Sequence, residues 1–541
     1  MSDARGYVTD IAYTDAYYPP IATPWAAYVA AINGFPPPAI DAGYAYCELG
    51  CGNGMTLAIL AAANPQAHFT GIDVNPEHIT NARALAAAGG LTNIEFLACD
   101  LGEALKRPPT QPALQASAQP LGPFDFVTMH GLYTWVAPEV RADVIRFLDY
   151  KVKPGGLVAV SYNALPGWAG MQPLREMMLA YSAGVAADSL EKARRGIAYL
   201  DFMGQNDAQY FVNNPDARRR LDTLKKDDLR YVVHEYFSEH WTPLYFSEVA
   251  QGMAVAGLSF AGSFPLIENY QDAIPAPFRD LLRSAPDRAA WEVHKDFVRN
   301  TAFRRDVYVR SGAEARRPVA ECLRPLCFGM FIPPGQMNYA GTIHDFSYDI
   351  DSPLHRAIVA RLARSPAGVT ELAADPALAG EAGGASAADI AAALQWLILS
   401  EQVGCFARPI ERDAVQAGAA RMHPLSRVLL ERALRAGRPV GQAVSSAHGA
   451  ALHGNWVHLL LLHGACEAGM ASAARWATEW IADKQIEVRL ATPGGQQTAT
   501  PATPAQLRAL FDANHAVMTT PPTLMYDFAL ASGMVEGRFG G

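Results

Sequence analysis

Three carboxylates and three closely spaced glycines are the residues of this chain whose types and spacing could do chemistry. Glu48 stands just ahead of Gly50, Gly52 and Gly54 in the run YCELGCGNG; Asp73 closes GID, and Asp100 follows IEFLAC. A glycine-rich turn at the head of a helix suits a nucleotide-like cofactor, because it tolerates positive φ and lets a ligand approach the backbone closely. The spacing then selects the cofactor. A dinucleotide fingerprint needs its third glycine three positions after the second, and that position is Met55, so NAD fits poorly. A carboxylate at Glu48 suits an ammonium better than a pyrophosphate. Asp73 comes about 20 residues after the glycines, the separation expected for an acid gripping ribose hydroxyls. Asp100, on the same rim, can accept from an adenine amino group. Adenosine joined to an amino acid without phosphate is S-adenosylmethionine. Taken singly, each acid also reads as an ordinary strand-end or helix N-cap residue.

The next chemistry-bearing run is His130-Gly131-Leu132-Tyr133-Thr134-Trp135. It lacks the (Asn/Asp)-Pro-Pro-(Tyr/Phe) turn of many enzymes that methylate planar nitrogens, which disfavours a nucleobase or glutamine acceptor. Aromatics beside a histidine suit an aliphatic amine or hydroxyl: ring faces attract a cation, and a base removes a proton. His130 is either that base, a cofactor-orienting group, or a hydrogen-bonded rim histidine. Tyr13, Tyr17 and Tyr18 near the N-terminus, Trp135, Tyr162 and Asn163, and Trp168 are candidates for an acceptor channel, with core packing as the alternative. The run HEYFSEHWTPLYFSEV is dense in His, Glu and aromatics. His234 and His240 do not share a helical face at ligand spacing, so no metal is expected, and the run reads as packing against the sheet.

Positioning these groups requires strands that end on one rim. A strand precedes the glycines and another ends at Asp73. A helix from about Pro76 to Ala88 and the strand NIEFLAC follow, then a low-complexity loop at 108–120. The strand FDFVTMH, a helix from about Pro138 to Tyr150, and the strand in KPGGLVAVSYN complete five strand–helix units, the pattern of a parallel, doubly wound sheet. Residues 171–240 turn helical and charged and read as an insertion. GLSFAGSF (257–264) and RRDVYVRSG (304–312) look like two more strands, an antiparallel edge pair. The α/β core therefore spans 1–170 and 241–312. Residues 313–409 read as a middle domain with a winged-helix-like pattern, SEQVGCFARP being its wing. Its helix AADIAAALQWLI has no Lys or Arg, so protein packing is favoured over DNA binding. Residues 410–541 read as a helical C-terminal domain with a break at 493–504. The insertion and the C-terminal region are the natural places for dimerisation and substrate docking.

At 541 residues the chain exceeds one core, and two to four domains are expected. A net charge of −9 gives no general attraction to nucleic acid or anionic lipid. Seven scattered cysteines show neither a disulfide framework nor zinc spacing, which fits a reducing cytoplasm. The polar start MSDARGYVTD has no signal core, and no run of 18 apolar residues offers a membrane span. A cytoplasmic location follows as the expectation.

Together YCELGCGNG, GIDVNPEHI, FDFVTMHGLYTWV, KPGGLVAVSYNALPGW and HEYFSEHWTPLYF resemble the bacterial class I methyltransferases that carry a methyltransferase regulatory domain. Among these the chain is similar to the outer-membrane-protein lysine methyltransferases. The resemblance covers about residues 7 to 312 and is architectural beyond. It implies a seven-stranded Rossmann-like core with mostly helical C-terminal domains, and turnover of S-adenosylmethionine to S-adenosylhomocysteine. It implies that Glu48, Gly50, Gly52, Asp73 and Asp100 bind the cofactor, with Cys51, Val74 and Leu101 beside them, and that His130 and Tyr133 face the methyl group. A protein lysine, such as one on an envelope protein, is the implied acceptor, and a homodimer the implied assembly. The rivals are a small-molecule or glycan methyltransferase and a non-catalytic cofactor-binding regulator.

Overall fold

Seven strands form one sheet in the order 3-2-1-4-5-7-6 in the computed structural model: β1 (Ala45–Leu49), β2 (His68–Asp73), β3 (Ile94–Ala98), β4 (Phe124–Met129), β5 (Val152–Asn163), β6 (Ser259–Phe264) and β7 (Phe303–Val309). The structure describes residues 16–107, 121–310, 316–343, 346–381, 385–410, 419–489, 501–520 and 525–539. The loop at 108–120, most of the break at 493–504, and Tyr13 lie outside them. Strands β1 to β5 run parallel, and β7 lies antiparallel between β5 and β6. The strand order reverses between β1 and β4, which opens a crevice at the carboxyl ends of the strands. Register puts the acids there: Glu48 pairs with Gly71 and Thr128, and Asp73 with Ala98, two residues before Asp100.

Both faces of the sheet are buried, as a parallel sheet requires. Tyr46, Phe69 and Phe126 point to a face covered by α1 (Thr23–Ile32), α2 (Met55–Ala63) and α3 (Pro76–Ala88). Cys47, Leu49 and Val127 point to the other, under α4 (Leu101–Leu105) and α5 (Pro138–Lys151). Helix α3 starts where its sequence says it must: the Asn75 side chain accepts from the Glu77 N–H, and Pro76 occupies the first turn. Helices α1 and α2 have almost no polar face, so periodicity does not announce them; in α2 every residue is buried.

Between β5 and β6 comes the insertion, α6 (Gln172–Ser182), α7 (Ser189–Gln205), α8 (Gln209–Asn213), α9 (Pro215–Leu224) and α10 (Leu229–Tyr236), followed by α11 (Phe246–Val255) on the sheet. The insertion has its own small core of Leu174, Met178, Leu200, Phe211 and Leu221. Between β6 and β7 lie α12 (Arg279–Arg283) and α13 (Arg288–Arg299).

Beyond residue 316 a three-stranded antiparallel sheet, in the order Ala367–Gly368, Cys327–Met330, Val403–Phe406, packs with helices Pro353–Leu362, Val369–Ala373 and Ala387–Leu399. The last buries Ile390, Leu394, Leu397 and Ile398, a packing helix. The stretch expected as a wing supplies Val403–Phe406, which pairs with Cys327–Met330. The remainder is not uniformly helical. Val440–Ser445 and Ala450–Asn455 form a β-hairpin, missed because small residues of weak strand preference build it. Its stability comes from where it docks: the Asn64 side chain at the end of α2 donates to the Gly449 carbonyl (2.7 Å). Gly449 has φ +76°, and a Cβ there would lie 2.6 Å from that of Ala407, so only glycine fits this turn. No helix among the described residues is long and apolar enough to cross a membrane.

Candidate functional site

The turn after β1 is built by three glycines in the left-handed region, Gly50 (φ 72°), Gly52 (52°) and Gly54 (71°). The N–H groups of Gly50 and Cys51 donate to the Ile72 carbonyl (2.8 and 3.1 Å), and that of Gly52 donates to Asp73 Oδ2 (2.9 Å). A Cβ at Gly54 would lie 2.7 Å from Ala82 and 2.8 Å from Phe96, so this glycine also lets α2 settle against its neighbours. Asp73 Oδ1 accepts from the Asn75 N–H (2.8 Å). Asp73 thus pins the loop to the end of β2 while lining the cavity beside it. His78 Nδ1 lies 3.3 Å from the same Oδ1, and since a carboxylate has about four acceptor positions, capacity remains for a ligand hydroxyl.

Glu48 is buried in the wall of that cavity, and its Oε2 has no hydrogen-bond partner among the described residues. Burial, with the nearby Asp73 carboxylate adding to it, pushes its pKa up from 4.5 to about 8. A buried acid without a partner is costly unless a ligand supplies one, and a ligand ammonium has the right sign. Asp100 lines the same cavity, and its Oδ1 caps α4 by accepting the Glu103 N–H (2.8 Å). Cys51, Val74 and Leu101 complete this end. The donor set, an unpartnered acid, a second acid at a glycine turn and a third at a strand end, fits S-adenosylmethionine.

The cavity measures about 1020 Å³ and continues past this end, above the usual range for one small ligand. Its second half begins at His130. The Tyr18 ring lies against the His130 ring, centroids 4.0 Å apart, with Phe303 edge-on at 6.1 Å. Burial, helped by the Arg305 charge, pushes the His130 pKa down to about 4. The ring is therefore neutral at physiological pH and a weak proton sink, which favours an orienting role over that of base. Facing it is the insertion. Tyr231 and Glu235 are one turn apart on α10, and both line the cavity with Trp135, Asn163 and Trp168. Asn163 Nδ2 donates to Glu235 Oε1 (2.6 Å), and Trp135 Nε1 donates to the Glu235 carbonyl (3.3 Å), joining insertion to sheet.

Three expected site residues are elsewhere. Tyr133 is buried with Leu148, Met253 and Tyr308 in the core under α5 and α11. Gly131, at φ 71°, redirects the chain so that Leu132 and Trp135 face the cavity and Tyr133 turns inward. Tyr17 points to the C-terminal hairpin, where its hydroxyl accepts from the Ala451 N–H (3.1 Å); its neighbour Tyr18 faces the cavity. Tyr162 lies within the sheet and donates to Asp306 Oδ2 (2.7 Å). Consecutive residues of a strand point opposite ways, so Tyr162 and Asn163 of β5 could not both face the cavity. Conversely, the run HEYFSEHW is not simple packing, since His234 and Glu235 stand in the cavity wall. The i,i+4 pair Tyr231/Glu235 is the only signal the sequence carries for it.

Residues 40–168 match the family model described as a methyltransferase domain, and residues 228–310 the one described as a predicted methyltransferase regulatory domain. An uncharacterized protein of Synechocystis sp. is 33% identical over 379 residues, 69% of this chain and 72% of its own. An uncharacterized protein of Rickettsia prowazekii is 26% identical over 248 residues, 44% of this chain and 92% of its own. The solved structure of Rickettsia typhi PKMT2 in complex with AdoHcy matches with a TM-score of 0.68, covering 95% of this chain and 99% of its own, at 19% identity. The two share a fold across nearly their whole lengths.

Proposed function

Because the chain belongs to the class I S-adenosylmethionine-dependent methyltransferases that carry a methyltransferase regulatory domain, we propose that its acceptor is a primary amine, the side chain of a protein lysine. S-adenosylmethionine supplies an electrophilic methyl group on a sulfonium. Glu48 pairs the cofactor's ammonium, Asp73 accepts from its ribose and Asp100 from its adenine. Cys51, Val74 and Leu101 pack around it, and His130 orients it while remaining uncharged beside a cation.

The observation that carries the acceptor is the half of the cavity that begins at His130, whose lining includes Tyr18, Trp135, Trp168 and Tyr231 together with Glu235. Aromatic faces with the acids Glu235 and Asp227 among them select a cation. They also partly desolvate it, which lowers an amine's pKa from its ordinary value of about 10.4 and exposes the lone pair that displacement requires. Alignment in this cavity then supplies most of the acceleration. The purified protein incubated with tritiated S-adenosylmethionine and a bacterial envelope-protein lysate should give methyl-lysine on amino-acid analysis of the polypeptides. Label confined to low-mass material would replace this reading with a small-molecule or glycan acceptor.

A further inference from the structure

Resting on the amine reading above, we propose that Glu235 is the group that receives the acceptor's ammonium and takes its proton, with Asn163 holding the carboxyl in place. An amine methyltransferase must dispose of one proton before nitrogen can attack. Several groups in the acceptor half of the cavity could take it, and they differ in burial and in what holds them. His130 is held neutral by burial and by Arg305, with a pKa near 4, so it takes a proton from an ammonium poorly. Tyr231 is pushed up to a pKa beyond the reach of physiological pH by burial and by its acidic neighbours Glu235 and Asp227, so it stays protonated. Glu235 has neither handicap.

Its placement is specific. The side chain is 6% exposed and lines the cavity, and among the described residues its one side-chain hydrogen bond is the 2.6 Å contact from Asn163 Nδ2 to Oε1. That bond comes from the carboxyl end of β5, on the rim that also carries Glu48. The Asn163 N–H donates to the Thr134 hydroxyl (2.9 Å), and the Asn163 carbonyl accepts from the Leu244 N–H (3.0 Å). The residue that aims Glu235 is thus fixed by the loop after β4 and by the segment that follows the insertion. The cavity therefore has an acid at each end: Glu48, with an unpartnered oxygen beside the glycine turn, and Glu235 on the insertion. Each is suited to one ammonium, the cofactor's and the acceptor's.

The groups facing Glu235 allow a proton to be exchanged at useful pH. Burial raises its pKa to about 8, and the Asn163 hydrogen bond works in the opposite direction. Tyr231 and Tyr236 on α10, Asp227 ahead of it, His234 beside it, Arg220 on α9 and His130 across the cavity are the other titratable or charged groups lining this half. In the step, the acceptor N–H bond breaks and an O–H bond forms on Glu235, the electron pair staying on nitrogen. That pair forms the N–C bond as the S–C pair departs to sulfur. Glu235 then returns its proton to water.

The test is methyl transfer into the envelope-protein lysate by wild type and Glu235→Gln across pH 6 to 9.5, scored as methyl-lysine, with the thermal shift by S-adenosylhomocysteine measured on both. Glutamine keeps the shape and can still accept from Asn163. The expected result is a loss of about 100-fold or more near pH 8, disappearance of the rise in kcat/KM through about pH 8 seen in wild type, and an unchanged ligand-induced shift. A variant with the wild-type rate and pH profile overturns the role of Glu235 and leaves lysine methylation standing. A reduced rate with the wild-type pH profile also overturns it, since that is the signature of a merely structural contact. Absence of methyl-lysine from the wild-type reaction overturns the acceptor reading itself.

Discussion

At the scale of single residues, Glu48 is a buried carboxyl with an unpartnered oxygen, which is the basis for proposing it as the ammonium site. Its pKa rises from 4.5 to about 8 in the ligand-free protein. Protonation is thus favoured by folding, so its stabilising contribution is complete below pH 4.5 and is lost as pH rises to about 8. Glu235, raised to about 8 in the same way, steepens that loss. A cofactor ammonium restores a partner only to Glu48. The thermal shift produced by S-adenosylhomocysteine should therefore grow between pH 5 and pH 8.5 in wild type and stay flat and smaller in Glu48→Gln. A pH-independent shift in wild type would remove Glu48 from the ammonium site. If Asp73 also grips the ribose it has a double duty, because it already holds the Gly52 N–H. Asp73→Ala should abolish the shift while the protein remains folded, and an unchanged shift would show that the ribose lies elsewhere.

At the scale of elements, the segment matched as regulatory, residues 228–310, supplies α10, α11, β6 and β7. It completes the catalytic sheet and one wall of the cavity. Its strands are locked by a buried ionic network in which Arg304 on β7 reaches Glu292 and Asp296 on α13 and its neighbour Asp306. Tyr162 on β5 joins through Asp306, which explains why a residue adjacent to Asn163 does not face the ligand. The segment before α1 is divided in a similar way. Tyr18 faces His130, whereas Tyr17 ties this segment to the C-terminal hairpin. Tyr17→Phe removes the acceptor of the Ala451 N–H and should cost about 1–3 kcal/mol of unfolding free energy, read by denaturant titration, with affinity for S-adenosylhomocysteine unchanged. Weakened ligand binding at unaltered stability would return Tyr17 to the site.

At the scale of the whole molecule, one apolar core runs from α1, α2 and β1 through Leu326, Phe328 and Leu397 to Leu430, Leu460 and Phe511. The outer face of α2, apolar all round, is covered by the hairpin Val440–Ser445/Ala450–Asn455 rather than by water. Arg408 adds a bond to Asn64 at the end of α2 (2.8 Å). The C-terminal half is therefore part of what keeps the cofactor-binding half folded. Calorimetry should show one cooperative transition over the full chain. Two separated transitions, with the lower one insensitive to S-adenosylhomocysteine, would show that the halves fold independently.

The cofactor was legible in the sequence because its determinants are local. Glu48, the glycines and Asp73 lie within one strand–turn–helix–strand unit, and Asp100 ends the next strand, so hydrophobic pattern and chain direction place all three acids on one rim. The sheet itself followed from the same alternation, including its antiparallel edge pair. The acceptor end obeyed no such rule. Tyr18, His130, Asn163, Tyr231 and Glu235 meet only because the insertion folds back over the carboxyl ends of β4 and β5, and nothing in a helical pattern states which face of an insertion will be turned inward. Tyr17, Tyr133 and Tyr162 left the site for the same reason, since the direction of an aromatic side chain is settled by partners distant in sequence, Ala451 (434 residues away) for Tyr17 and Asp306 (144 residues away) for Tyr162. Local spacing determined what binds, and long-range packing decided what it meets.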